Sequence, residues 1–390
     1  MEKLVSSKQL STDPNQTTFQ KYEKVCQIAA NSGFDLKKQN KDHFQFVQIP
    51  KKYDLLLLIL LVLFSFYTRF WRLSEPDEVI FDEVHFGKFV SWYLKGEYFF
   101  DIHPPFSKLI MSLIAKFCSF VPTFDFTNIS DKYPAEIDYL CLRKQTAFVS
   151  ALLPPLSYLL LRTFSISVPS SLLVAIMFIF ENIILVESRI IVTDAFLFLF
   201  ILLTIIFNLQ LAKYRPFTFQ WMLFMFLTAV ALGCSVSTKL TALGTYAAVG
   251  ISQIIQLYTN YRRNVYQKTT FLKWSNIGSP FVFFLLDLLT RGIVFLGSTI
   301  LIFCISYYFH FNLLVFNGSG DDFMSYEFKL SVRHLNSNQV FKNDLFELGY
   351  FQKLWELNSK MHSSNMGIST PHHYSSKWYE WPLHQGTPVK

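Results

Sequence analysis

Long runs of apolar residues, poor in charge and separated by polar segments, recur along this sequence. The first run follows a polar segment and extends from Tyr53 to about Phe70, which is long enough to cross a bilayer as a helix. Six further runs follow, and each indicates another membrane-crossing helix. They are found at 145–163, 168–186, 190–211, 218–236, 240–257 and 279–309. The pattern therefore predicts an all-α polytopic membrane protein with about seven spans.

Positively charged residues mark one side of these predicted spans. Two lysines precede the first span, which places residues 1–50 in the cytoplasm and makes the span a signal anchor rather than a cleaved signal peptide. Alternation then brings the remaining connecting cations to the same side. They are Arg162, Lys213, Arg215, Arg262, Arg263, Lys268 and Lys273. We predict a cytoplasmic N-terminus at 1–50, a membrane core at 51–310 with a lumenal loop at 71–143, and a lumenal segment at 311–390.

The composition agrees with the membrane class. Hydrophobic residues make up 51% of the 390 positions, Phe alone occurs 43 times, and the mean hydropathy is +0.29. The net charge of +7 lies in the N-terminus and the loops rather than in one patch, so we expect no nucleic-acid partner. The five cysteines form no C-x-x-C and no His-Cys spacing, so neither a metal site nor a disulfide framework is predicted. A lumenal bridge between Cys118 and Cys141 is left open.

The lumenal loop carries two helical patterns. The stronger pattern follows Pro105, which suits the first turn of a helix, and its apolar residues recur every three or four positions. These residues are Phe106, Leu109, Ile110, Leu113, Ile114 and Phe117. The weaker pattern follows Asp82 and places Phe86, Phe89, Val90 and Tyr93 on one face. We expect the stronger helix to lie in the membrane interface and an acidic pair to stand at the start of the weaker one.

Five acidic residues crowd into nine positions of the same loop. They are Glu75, Asp77, Glu78, Asp82 and Glu83. An acid before an apolar-periodic segment is favoured at a helix N-terminus, so spacing alone favours solvated charge and helix capping. A carboxylate at the membrane surface would also suit a general base that deprotonates an acceptor hydroxyl. The sequence leaves both interpretations open.

The segment His103-Pro104-Pro105 with Lys108 also has two interpretations. A Pro pair before an amphipathic helix is ordinary at a helix start, and a lone His is more often structural than catalytic. The Lys108 side chain, one turn later, could reach lipid phosphates as easily as a substrate.

Among the charged residues that fall within the predicted spans or at their ends, four are candidates for chemistry, because a charge is costly there and a partner is expected. Arg189 and Asp194, at the lumenal end of the fourth span, form either an ion pair or part of a functional site. Lys239 begins the sixth span and Arg291 lies inside the seventh, and neither has an acid close in sequence. We expect a lipid phosphate as their partner, because a phosphate leaving group requires cations where negative charge develops.

Several segments in order resemble the signatures of the protein O-mannosyltransferases, membrane enzymes that transfer mannose from dolichyl phosphate mannose to Ser or Thr hydroxyls. These segments are FDEVHFGK at 81–88, FDIHPP at 100–105, SR and TD at 188–189 and 193–194, YFHF and GSGDDFMS at 308–311 and 318–325, and ELN, HYSS and WPL between 356 and 383. The resemblance covers about 51–385.

The resemblance implies a GT-C type glycosyltransferase of the endoplasmic reticulum membrane that forms a homodimer or heterodimer with another O-mannosyltransferase. It implies that Asp82 deprotonates the acceptor hydroxyl and that Glu83 shapes the site. Residues implied to bind the donor are Arg143, Lys239, Arg291, His103 and Lys108. Residues implied to shape the site are Arg189, Asp194 and His373. The implied reaction is a single inverting displacement at the anomeric carbon of mannose, without a metal or another cofactor.

The sequence departs from the family in three places. Only about 30 residues separate Met324 from Glu356, where eukaryotic members usually carry a β-trefoil MIR domain, and Ser107 replaces a usual Gly. The family also continues through further spans after the Trp-Pro motif, whereas this chain stops at Lys390, so we expect an incomplete donor cavity. Two other functions stay open. One is an inactive or regulatory partner of a complete homologue, and the other is a transporter of lipid-linked sugars, which the acidic pair does not favour.

Overall fold

The computed structural model describes residues 52–263, 280–332 and 348–367 of the chain, and within these ranges regular structure is helical. The helices are α1 (Lys52–Phe70), α2 (Glu83–Lys95), α3 (Phe106–Phe117), α4 (Tyr139–Ala151), α5 (Leu153–Thr163), α6 (Val168–Phe180), α7 (Asn182–Glu187), α8 (Asp194–Leu211), α9 (Phe219–Thr238), α10 (Leu243–Arg262), α11 (Pro280–Leu313), α12 (Tyr326–Val332) and α13 (Tyr350–Gly367). The predicted N-terminal region and His373 lie outside the described residues.

Five of the described helices, α1, α8, α9, α10 and α11, are long and apolar enough to cross a bilayer. The all-helical membrane class is therefore confirmed, whereas the number of seven spans stays a prediction. The predicted spans 145–163 and 168–186 each consist of two helices. The first divides at Leu152, two residues before the pair Pro154-Pro155, which lacks backbone N–H donors. The second divides at Glu181, whose backbone is extended.

The loop between α1 and α4 packs onto one end of the bundle. The largest hydrophobic core joins the loop helices α2 and α3 to α4, α8 and α11, through buried side chains such as Phe99, Phe196 and Tyr307. We call this end the loop end. At the other end, Asp54 of α1 accepts hydrogen bonds from Tyr158 at 2.5 Å and from Arg162 at 3.0 Å.

The two helices of the loop begin where the sequence patterns place them, at Glu83 and Phe106. A disulfide between Cys118 and Cys141 connects the end of α3 to the start of α4, with the Cα atoms 6.3 Å apart. The bridge that the sequence left open is therefore formed. It ties the helix after the Pro pair to the helix that carries Arg143, so the loop is fixed to the bundle at both ends.

Two exposed sequons provide a test of orientation, which stays a prediction. Asn128 and Asn317 both lie at the loop end and are exposed, and a third sequon at Asn15 falls in the region predicted to be cytoplasmic. We expect N-glycosylation at 128 and 317 but not at 15, measured as gel shifts that endoglycosidase removes. Asn-to-Gln variants at each position provide the control, and glycosylation at Asn15 would contradict the predicted orientation.

Candidate active site

The Asp82 carboxylate stands at the N-terminus of α2 without capping it. Asp82 is half-buried, and within the described ranges the structure records no hydrogen bond or ion pair for its side chain. Burial raises the pKa of Asp82, the carboxylates of Asp194 and Asp101 raise it further, and His85 and Lys239 oppose the shift. The capping interpretation, which spacing alone favoured, is therefore wrong for this side chain.

Glu83, the second member of the acidic pair, is fully buried and ion-paired with Arg143. The two side chains are 0% and 1% exposed and form two hydrogen bonds of 2.8 Å each. Arg143 also donates to backbone carbonyl oxygens of the loop, including that of Pro76 at 2.7 Å. Glu83 additionally accepts hydrogen bonds from Tyr133 at 3.0 Å and from the backbone N–H of Ile191 at 3.1 Å.

These contacts use the hydrogen-bonding capacity of both side chains. A guanidinium has five N–H donors, and the five hydrogen bonds of Arg143 go to Glu83 and to loop carbonyls. The structure therefore gives Arg143 a protein partner in place of the predicted donor phosphate. It also supports the site-shaping role of Glu83, because the pair holds the start of α2 against α4.

Lys239 forms an ion pair with Asp194, with 2.7 Å between Nζ and Oδ1. Asp194 is the first residue of α8, and Lys239 follows the last residue of α9 with an extended backbone. The side chains are 17% and 24% exposed, so the pair remains accessible from the loop end. No acid lies close to Lys239 in the sequence, so its ionic partner was not predicted. The fold supplies that partner, Asp194, from another helix.

Arg189 does not pair with Asp194, so that structural interpretation of the sequence is wrong. Its guanidinium instead donates to the backbone carbonyl oxygens of Trp71 at 2.6 Å and Arg72 at 2.8 Å. Carbonyl groups just beyond a helix end lack helical partners, and Arg189 satisfies two of them after α1. The site-shaping role of Arg189 stays a prediction.

The His-Pro-Pro segment surrounds a second ion pair. Lys108 is buried, pairs with Asp101, and donates a hydrogen bond of 2.8 Å to the backbone carbonyl of His103. Its ammonium lies 5.2 Å from the ring centroid of Phe89 and 5.9 Å from that of Phe99. Sequence analysis quoted Asp101 within a motif but did not identify it as the partner of this cation.

The His103 side chain is half-buried next to the same charges. Burial lowers its pKa, Lys239 and Lys108 lower it further, and Asp101 and Asp194 act in the opposite direction. The imidazole is therefore neutral at physiological pH and can both donate and accept a hydrogen bond.

Ser107, the departure from the family's usual Gly, has a specific contact. Its hydroxyl lies 2.7 Å from that of Thr238, and both side chains are buried. Thr238 directly precedes Lys239, so this hydrogen bond connects α3 to the end of α9. The added hydroxyl therefore joins the two segments that carry Lys108 and Lys239.

Glu187, which sequence analysis missed, ends the short helix α7 and lies among the same charges. Its pKa is raised to about 7, first by burial and then by Asp194, while Lys239 opposes the shift and Glu181 and Asp82 add to it. The only available sequence signal was its position beside Arg189. Acids next to a basic residue are common at helix ends, so that signal is weak.

Arg291 is remote from these residues. It lies nineteen positions before His310 on α11, a rise of about 28 Å along the helix, and His310 is the residue whose Nδ1 lies 2.6 Å from the Tyr93 hydroxyl of the loop helix α2. Asp287, one turn earlier, accepts its hydrogen bond at 2.6 Å, and Gln256 accepts another at 3.0 Å. The prediction that no acid lies close in sequence is therefore wrong, because Asp287 is four residues away. Arg291 does not join Lys239 in one site.

The structure thus places Asp82, His103 and Glu187 around the ion pair of Lys239 and Asp194 at the loop end, since both members of this pair influence the pKa of each of the three. Their chemical roles stay predictions. No group of three or more His, Cys, Asp or Glu side chains suited to a metal ion occurs among the residues that the structure describes.

The sequence profile of the family described as dolichyl-phosphate-mannose-protein mannosyltransferase matches residues 59–315. This chain belongs to that family. It is 35% identical over 298 residues to a Schizosaccharomyces pombe dolichyl-phosphate-mannose–protein mannosyltransferase 4, covering 75% of this chain and 37% of the relative. It is 31% identical over 319 residues to mannosyltransferase 1 of Saccharomyces cerevisiae, covering 80% and 36%.

A solved structure extends the comparison to the fold. The S. cerevisiae protein O-mannosyltransferase Pmt1–Pmt2 complex bound to the sugar donor is similar with a TM-score of 0.65 and 29% sequence identity, covering 74% of this chain and 38% of the matched one. The predicted GT-C architecture is therefore confirmed. This mannosyltransferase-family chain spans less than two fifths of the length of the relatives named here.

Proposed function

We propose that this chain transfers mannose from dolichyl phosphate mannose to Ser or Thr hydroxyls of proteins, as a protein O-mannosyltransferase. The observation that carries the proposal is the Asp82 carboxylate, which is half-buried, has a raised pKa and has no recorded partner in the described ranges. Lys239 is near enough to influence its ionisation. The family and the names of its curated members support the assignment.

In the proposed reaction the acceptor hydroxyl gives its proton to the Asp82 carboxylate. The hydroxyl oxygen attacks the anomeric carbon of mannose, and the bond between that carbon and the phosphate oxygen breaks. The electron pair of the broken bond leaves with dolichyl phosphate. Attack from the face opposite the leaving group inverts the configuration. A positioned general base of this kind contributes typically 10²- to 10⁴-fold to the rate.

Lys239 is the proposed cation for the departing phosphate. Its ammonium is held by Asp194 yet remains partly accessible, so it can interact with a second anion without first being exposed by a conformational change. Such a preorganised charge stabilises the transition state because negative charge grows on the leaving oxygen. The neutral His103 imidazole is placed to donate a hydrogen bond to the donor's polar head.

The proposed location is the endoplasmic reticulum membrane, with the loop end facing the lumen. This side follows from the cation pattern of the connecting segments. We further propose that the chain pairs with a second O-mannosyltransferase subunit. The similar solved structure is itself a two-subunit complex bound to the sugar donor, which supports this part of the proposal.

Transfer to a peptide acceptor provides the direct test. The chain would be co-expressed with a second O-mannosyltransferase subunit carrying its own inactivating substitution, and membranes would be incubated with labelled dolichyl phosphate mannose. We expect label in a Ser/Thr peptide but not in the same peptide with Ala and Val at those positions. Label that appears only when the second subunit is active would instead indicate a regulatory chain. Movement of labelled dolichyl phosphate mannose across the membrane without transfer to the peptide would indicate a transporter.

Replacing Lys239 by Gln should lower kcat/KM for dolichyl phosphate mannose by about 10²- to 10³-fold, because removing one preorganised donor that stabilises transition-state charge has an effect of that size on the rate. The matched control is Lys116→Gln, which changes an exposed lysine at the end of α3. The measurement is transfer rate against donor concentration for both variants. An unchanged kcat/KM in the Lys239 variant would remove this residue from the donor site.

A further inference from the structure

Helix α13 lies against the loop end of α11 with one face inward. Leu357 and Met361 on this face are 3% and 1% exposed. Tyr307 of α11 donates a hydrogen bond of 3.1 Å to the side-chain oxygen of Asn358. At the helix start, the hydroxyl of Tyr350 donates to the backbone carbonyl of Cys304 at 2.5 Å. These contacts fix both the rotation and the height of α13 on α11.

The contact with Cys304 sets the depth of the first turn of α13. Cys304 lies nine residues before Leu313, the last residue of α11, which corresponds to a rise of about 14 Å. Around this height α11 exposes large apolar side chains, with Ile305 at 45% and Tyr308 at 56%. Helix α11 is one of the candidate membrane spans, and exposed apolar side chains of this kind suit the boundary between headgroups and acyl chains. The first turn of α13 therefore stands level with exposed apolar side chains of a candidate span.

The outward face of α13 changes character along its length. Phe351 and Trp355, one turn apart in the first half, are 75% and 77% exposed. The outward positions of the following turns are mostly polar, with Met366 in the last turn as the apolar exception at 75% exposure. The polar residues are Ser359, Lys360, His362 and Ser363, all exposed. The adjacent pair of large aromatic side chains thus lies at the end of the helix that stands beside Cys304 of α11.

We propose that Phe351 and Trp355 insert into the bilayer leaflet at the loop end, so that α13 binds a lipid surface. Tyr350 holds this turn of α13 beside Cys304 of α11, where that candidate span exposes Ile305 and Tyr308, which is why lipid rather than a second copy of the chain is the proposed occupant. Trp is favoured at the boundary between headgroups and acyl chains, where an amphipathic helix can lie in the plane of the membrane. Lys360 is placed to reach headgroup phosphates.

The anchored helix also contacts the candidate active site. Asn365 in the last turn of α13 donates a hydrogen bond of 3.1 Å to the backbone carbonyl of Ile102, directly before His103. Insertion of the first half in the membrane would therefore hold the far end of the helix against the His-Pro-Pro segment. The height of this segment above the bilayer would then be set by α13.

Spin labels on single cysteines test the proposal. Cys26, Cys234 and Cys304 would be replaced by Ser, and a single cysteine would be placed at 351, 355, 359 or 363 of the full chain. Each labelled variant would be reconstituted into phosphatidylcholine vesicles that contain about 20% anionic lipid. Labels at 351 and 355 should collide with oxygen at least about twofold more, relative to a water-soluble nickel complex, than labels at 359 and 363. Preferential nickel collisions at 351 and 355 would show water there and overturn the proposal. Loss of collisions with both probes would show a protein contact, such as a second copy, and also overturn it.

A second measurement avoids altering Phe351 and Trp355 with a label. The fluorescence of Trp355 is the difference between the parent and Trp355→Phe, a variant that keeps an aromatic ring. In vesicles of lipids brominated near the headgroup, we expect this difference signal to be quenched more strongly than in vesicles brominated near the acyl terminus. No quenching in either vesicle would contradict insertion.

Discussion

Replacing Asp82 by Asn should reduce the rate of mannosyl transfer by about 10²- to 10⁴-fold, because the amide keeps the shape of the side chain but cannot accept the proton. Asp82 makes no capping hydrogen bond and no recorded ion pair in the described ranges, so the variant loses neither kind of contact. The measurement is the initial rate of transfer to a Ser/Thr peptide with the partner subunit present. Thermal stability in detergent, measured in parallel, should equal that of the parent.

The matched control for this variant is Asp77→Asn. Asp77 belongs to the same acidic segment and is exposed, so its replacement should leave the transfer rate unchanged. Equal transfer rates for the parent and the Asp82 variant would show that the Asp82 carboxylate has no catalytic role. Any activity would then belong to the partner subunit.

The pH dependence provides a second signature of the same base. Burial raises the pKa of Asp82, and transfer requires the ionised carboxylate, so kcat/KM should fall as the pH falls through that raised pKa. The acidic limb should therefore lie above the ordinary pKa of an Asp side chain, about 3.9. Lys239 lowers the pKa of Asp82, so the Lys239→Gln variant should move the limb to higher pH. A limb that does not respond to this substitution would belong to another group.

The candidate site was only partly predictable from sequence, because ion pairing depends on contacts between distant segments. The motifs made Asp82 and His103 candidate site residues, the start of a predicted span did so for Lys239, and Lys239 influences the ionisation of the other two in the structure. The sequence contained no sign that Glu83 would form a buried ion pair with Arg143, sixty positions away. Conversely, the acid near Arg291 was visible in the sequence as Asp287 at the helical spacing of four, and that signal was overlooked.

The same distinction applies to the fold. The apolar runs of α8, α9 and α11 predicted their spans because a helix of about twenty apolar residues has few alternatives in a bilayer. The breaks at Leu152 and Glu181 were not predicted. A proline pair in a long apolar run is compatible with either a kink or a new helix, and the choice depends on packing against α1 and α8.

Replacing Arg143 by Met should lower the free energy of unfolding by about 3–5 kcal/mol, because the carboxylate of Glu83 would remain buried without its ionic partner. The loop carbonyls that Arg143 satisfies, including that of Pro76, would also lose a hydrogen bond. The measurement is unfolding in mixed micelles with increasing sodium dodecyl sulfate, monitored by tryptophan fluorescence. Among the molecules that remain folded, the KM for the donor should be unchanged, since the structure assigns Arg143 to the loop rather than to the donor phosphate.

Two further variants make this prediction specific to the buried pair. Arg72→Met removes an exposed arginine whose ion pair with Glu75 is solvent-accessible, so it should change stability by at most about 1 kcal/mol. Combining Arg143→Met with Glu83→Gln removes both charges and should recover part of the lost stability, because the unpaired buried charge is no longer present. Strictly additive losses in the double variant would show that the two side chains act independently. A raised donor KM with unchanged stability in the Arg143 variant would return this residue to the donor site.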